Sequence, residues 1–63
     1  MSYYHNPILS VLNHVGLGTV IRVHTDDGFI HQAPFLGIQN GNVVLSGGIY
    51  IPVAKITSIH VVT

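Results

Sequence analysis

The chain has 63 residues, with two basic and two acidic side chains, five histidines and no cysteine. That length allows a single domain, and a chain this short buries only about 60% of its unfolded surface, which leaves it marginal alone. The composition excludes disulfide staples and thiolate zinc sites, shows no basic stripe for phosphates, and contains no run near the ~20 apolar residues that a bilayer span requires.

Residues 1–5 read as a flexible lead, and residues 6–16 as one short helix. Asn6 suits the capping position and Pro7 the first helical position, where its missing donor costs nothing. Ile8, Leu9, Leu12 and Val15 then form one apolar stripe, which Gly16 and Gly18 bring to a stop. A helix so short persists only if its stripe docks. From Thr19 the apolar period changes to two, and residues 19–62 read as a five-stranded barrel. "TVIRVHT" ends at Asp27-Gly28, "FIHQAPFLGIQ" at Asn40-Gly41, and "NVVLS" at Gly47-Gly48, each a hairpin signal. "IYIP" stops at Pro52, which cannot donate to a ladder, and "ITSIHVVT" supplies the last strand. The expected fold class is mainly β: a short N-terminal helix, then five antiparallel strands in meander order.

Two-residue turns would fix the register. His24 is then expected opposite His31 and Val23 opposite Gln32. Across the second turn Val43 faces Ile38 and Leu45 faces Leu36; those four and Ile30 would make one apolar face. Across the third, Val44 faces Ile51 and Leu45 faces Tyr50. The other face would carry Val44, Ile49, Ile51 and Phe35, so the central strands are expected to be covered on both sides. Pro34 and Gly37 inside the second strand are expected to bend the sheet strongly.

Charged residues are 6% of the chain, against roughly 25% in an ordinary soluble domain. So much uncharged surface on so small a body implies cover, most simply by further copies of the chain. "MSYYHNPILSVLNHVG" lacks the basic start and unbroken apolar run of a secretory leader, so a soluble, cytoplasmic protein is expected.

With helix-first order, "DG" at the first hairpin, "FLGIQNGNVVL" and the closing "IPVAKITSI", residues 6–61 resemble the Sm-like fold of Sm and LSm proteins and the bacterial RNA chaperone Hfq. The resemblance implies a small, strongly bent barrel. It also implies a homo-oligomeric ring of about five to seven subunits, in which the fourth strand of one copy pairs with the fifth strand of the next. Ile49, Ile51, Ile59 and Val61 would lie in that interface. It further implies weak contact with single-stranded RNA through Gln39, at the family's acidic position, and through Asn40 or Asn42, at its base-contacting asparagine. The family's Arg-Gly falls on Pro52 and Val53, and the Lys-His of Hfq on Val53 and Ala54. The pattern "G-x-V-x-V-x-T…G…YIP…I…I" is also similar to small spore-coat-type domains of spore-forming bacteria, which would associate the protein with the spore.

Basic groups for RNA are Arg22 and Lys55, which would recur around a ring; Tyr50 or Phe35, if exposed, would stack on bases. His24 and His31, as expected neighbours about 5 Å apart, are the candidate metal ligands. Two imidazoles fall short of the three or four ligands of a zinc site, so no metal or other cofactor is expected. His60 reads as an interface or edge residue. The chain has no Cys or Glu, its two Asp sit in a turn, and Ser10, Ser46 and Ser58 lack a His–acid arrangement, so no enzyme is expected. The expectation is a structural or adaptor ring, with RNA binding as the alternative.

Overall fold

Runs of β-branched residues separated by Gly, Asn and Asp become five strands in a computed structural model that describes residues 7–62, Pro7 and Leu9 by backbone alone. The expected lead 1–5 and the capping residue Asn6 lie outside the described residues. The helix α1 spans Pro7–Leu12. It is followed by β1 (Val20–Thr25), β2 (Ile30–Gln39), β3 (Asn42–Leu45), β4 (Ile49–Pro52), a 3-10 turn (Val53–Lys55) and β5 (Ile56–Val61). The α-helix ends at Leu12 rather than residue 16. Three-residue hydrogen bonds, His14 N–H to Val11 O (3.0 Å) and Val15 N–H to Leu12 O (3.1 Å), tighten its last turn.

The strands form one open antiparallel sheet in the order β4-β3-β2-β1-β5. The first four follow the expected meander, but β5 does not lie beside β4. It returns to pair with β1, Ile21 opposite Val61 and Val23 opposite Ile59. The 3-10 turn carries the chain across. Val53 N–H donates to Gly41 O at 3.0 Å and Asp26 N–H donates to Lys55 O at 2.8 Å, tying this connection to both neighbouring hairpin loops.

Two of the three hairpins differ from the expected register by one residue. In the first, Val23 faces His31, His24 faces Ile30 and Arg22 faces Gln32. The loop is Asp26-Asp27-Gly28: Thr25 N–H donates to Phe29 O (3.0 Å) and Gly28 N–H to Thr25 O (3.1 Å). Gly28, at φ +89°, takes the left-handed position that closes a three-residue loop. In the third, Leu45 faces Ile49, Val44 faces Tyr50 and Val43 faces Ile51, so Ser46 joins the loop. The second hairpin keeps its two-residue turn, Ile38 facing Val43 and Gln39 facing Asn42 around Asn40 at φ 52°. Beyond Gly37 a β-bulge intervenes, and Leu45 faces Phe35 rather than Leu36. Gly37, at φ +131°, supplies the backbone conformation this step needs.

These shifts decide which face is dry. Leu12, Ile21, Val23, Phe35, Val43, Leu45, Ile51, Val53 and Ile56 are buried together, with Ile8, Val15, Ala33, Ile49 and Ile59 packed against them. The expected double cover is therefore corrected. Phe35, Ile49 and Ile51 join Val43 and Leu45 on the inner face, Val44 is left outside with Tyr50, and Leu36, Ile38 and Ile30 are exposed. Burial along β1 and β3 alternates, as in sheets wetted on one side.

Candidate functional site

Local turn chemistry gathers polar side chains at one end of the sheet. Gln39 and Asn42 face each other across Asn40-Gly41, and the bond from Val53 N–H to Gly41 O brings the 3-10 turn, with Lys55 at its end, to this loop. Gln39, Asn40 and Lys55 are exposed and Asn42 is half-buried. Three of the five expected RNA-contact residues, Gln39, Asn40 and Asn42, thus share this loop, whereas Lys55, at the far end of the 3-10 turn, accepts through its carbonyl from Asp26 N–H on the first hairpin loop. Arg22 lies apart, on the outer face of β1, where its Nε donates to Gln32 Oε1 at 3.1 Å, on the half of β2 that pairs with β1.

The two stacking candidates separate cleanly. Phe35 is 3% exposed and belongs to the core, whereas Tyr50 is 57% exposed. Tyr50 stands opposite Val44 on β3, and the next outward pair along the two strands is Asn42 with Pro52. Cross-strand neighbours on one face are about 5 Å apart and diagonal ones about 7–8 Å. An aromatic ring therefore has amide side chains within reach.

Among the expected interface residues, Ile51 is buried opposite Val43, and Ile49 and Ile59 are half-buried against the core. Val61 is 48% exposed at the end of β5. Among the described residues no strand pairs with the outer flank of β4 or of β5, so both ends of the sheet present open backbone edges.

His24 and His31 are not neighbours. The one-residue shift in the first hairpin turns His31 to the inner face beside Val23, where its ring lies 6.5 Å from that of Phe29, and leaves His24 outside. His24 instead meets His60, with ring centroids 5.5 Å apart and planes at 80°. This pair was hidden from the sequence because it depends on β5 lying beside β1. Among the described residues no group of three or more His, Asp, Glu or Cys side chains converges as a metal site would require.

Asp27 serves its turn. The Thr25 hydroxyl donates to its Oδ1 and holds the carboxyl below the usual carboxylate range, against desolvation, which pushes it upward. The backbone amides of Phe29 and Asp27 and the charge of Lys55 act in the same direction as Thr25.

Comparisons against family models, curated proteins and solved structures gave no match to this chain. Among the described residues no helix is long and apolar enough to cross a membrane.

Proposed function

We propose that the protein is a non-catalytic, self-assembling module whose copies join the β4 edge of one chain to the β5 edge of the next, closing into a homo-oligomeric ring of the Sm-like kind. The observation that carries this is the strand order: β4 and β5 are the two unpaired flanks of an open sheet. They carry the half-buried Ile49 and Ile59 and the exposed Tyr50 and Val61, without a charged side chain on either strand. Edges left in this state are templates for pairing, and the short chain has few charges to keep them apart. Since the contact is head-to-tail, it closes into a ring where the rotation allows and into fibres where it does not. On this reading the Sm-like bend of the sheet sets the rotation, and the ring acts as a structural or adaptor module in the cytoplasm.

Light scattering and native mass spectrometry at micromolar concentration test it. The expected result is a small integral multiple of the 6.8 kDa chain. A folded, stable monomer would sink the proposal. Val61→Asp is the more informative variant, because Val61, opposite Ile21, is 48% exposed in the single chain; it should lower the mass with less effect on the fold than a charge at a buried position. Ile51→Asp is less telling, since Ile51 is already buried within the chain.

A second reading, weak binding of single-stranded RNA, is supported by Gln39, Asn40 and Asn42 at the second hairpin turn with the exposed Tyr50 on the neighbouring strand. With so few cations, affinity for short U-rich or A-rich strands should be micromolar or weaker and should fall with added salt. Fluorescence anisotropy measures it, with Asn40→Ala and Lys55→Ala to locate the contact. Binding that survives both substitutions unchanged would exclude the loop end.

A further inference from the structure

On the outer face, β1 and its edge neighbour β5 share a patch that the assembly does not explain. Arg22 stands opposite His60 and His24 opposite Ser58, so the two imidazoles meet diagonally across the seam. Their edge-to-face contact at 5.5 Å suits neutral rings. From β2 the patch is faced by Ile30, opposite His24, and by Gln32, which accepts from Arg22. The Thr57 hydroxyl donates to His24 O at 3.2 Å. His14 lies on the turn after α1, its Nδ1–H donating to Ser10 O, and His31 is on the inner face.

Among the described residues no carboxylate is bonded to this group. The chain has only two acids, both in the β1–β2 loop, and Asp27 is engaged by Thr25. Among the described residues neither the His24 nor the His60 ring has a hydrogen-bond or ion-pair partner. A first proton therefore sets an imidazolium beside the Arg22 guanidinium, and a second sets two imidazolium rings against each other. All three charges lie across the one ladder that holds β5.

We propose that His24, His60 and Arg22 form an acid-sensitive latch. With both rings neutral, β5 stays seated on β1; protonation of the pair loosens β5 ahead of the rest of the sheet. The strand is the natural one to yield, since among the described residues no strand pairs with its other edge and its main packing besides β1 is against α1. Histidine is in general the side chain able to change charge between pH 5 and 8. If copies do join through β5, acid would also reduce the mass in solution. That clause rests on the assembly reading; the latch itself lies within one chain.

Amide hydrogen exchange at pH 7.5 and 5.5, corrected for intrinsic exchange rates, tests the latch whether or not chains associate. Protection of β5 amides should fall at the lower pH relative to β3. The Val62 amide, whose N–H donates to Val20 O at 2.9 Å, is a direct reporter. The relative fall should be at least about threefold, the Boltzmann factor for two unit charges 5.5 Å apart in water. His60→Gln should abolish the relative fall and His24→Gln should reduce it to what the His60–Arg22 repulsion alone supplies, while His14→Gln should leave it as in the parent. Equal losses in β3 and β5, or a parental response in both the His24 and His60 variants, would overturn the proposal. His60 is exposed, so its variant keeps the test decisive even if His24→Gln perturbs folding.

Discussion

Leu36 and Leu45 are both leucines in neighbouring strands, and the β-bulge assigns them opposite fates. Leu45 is fully buried against the core, while Leu36 is 53% exposed. Truncation to alanine removes three carbons. At Leu45 the transfer cost is about 2.4 kcal/mol at ~0.8 per methylene, and the cavity raises the total to roughly 3–5 kcal/mol. At Leu36 the cost should stay near 0.5 kcal/mol or below, the range for surface changes. A chain of 63 residues has a total stability of roughly 3–9 kcal/mol, so Leu45→Ala should remove about a third of it or more. Urea unfolding followed by far-ultraviolet circular dichroism, at one fixed protein concentration, reads both variants; the chain has no tryptophan to report instead. Comparable, concentration-independent losses at the two positions would mean that the strands pair without the bulge. A loss at Leu36 that shrinks as protein concentration rises would instead place that side chain under a neighbouring copy.

Gly37→Ala should cost about 1–3 kcal/mol through backbone strain at φ +131°, since the added methyl meets only Leu17 Cδ2 at 4.0 Å; Gly16→Ala, with no such φ, should be nearly neutral in the same urea assay. Thr25→Val should raise the Asp27 titration midpoint toward the ordinary carboxylate range by NMR, and an unmoved midpoint would remove Thr25 as its cause. In the parent, the lowered Asp27 value gives stability that is present above the ordinary carboxylate range and lost as pH falls through the folded-state value, so Thr25→Val should flatten that acid limb. Zinc titration at neutral pH should show no tight one-per-chain site, because His24 and His31 lie on opposite faces; a stoichiometric transition abolished by His24→Ala and equally by His31→Ala would contradict the observed register.

Strand positions were legible in the sequence because β-branched runs and turn residues act locally. Each of the five expected strands overlaps an observed one, and Asn40-Gly41 marked its turn correctly. Register was harder. "DDG" and "SGG" each contain a two-residue turn signal, but the preceding Asp26 and Ser46 are equally fit for loops, and the chain uses all three residues. A shift of one residue exchanges the faces, which is why the expected His24–His31 pair and the expected double cover both failed. Gly37 did announce an irregularity in β2, though not which neighbour it would turn outward. The pairing of β5 with β1 left no local mark, and with it went the His24–His60 contact. That Gln39, Asn40 and Asn42 would lie together at one turn followed from the sequence, whereas the exposure of Tyr50 and the burial of Phe35 required the bulge.

The same long-range pairing bears on how the chain reaches its fold. The hairpins close over loops of a few residues, events of about 1–10 μs, but seating β5 brings Ile21 to Val61 across most of the sequence. Chain-closure entropy opposes that step most, so β5 should dock last. Until it does, β1 exposes a vacant slot and the inner face beside it, Ile21 and Val23, is partly uncovered. A β5 strand from another molecule satisfies that slot as well as its own. Refolding yield should therefore decline as protein concentration rises, and the misassembled product should be a strand-swapped chain rather than an amorphous clump.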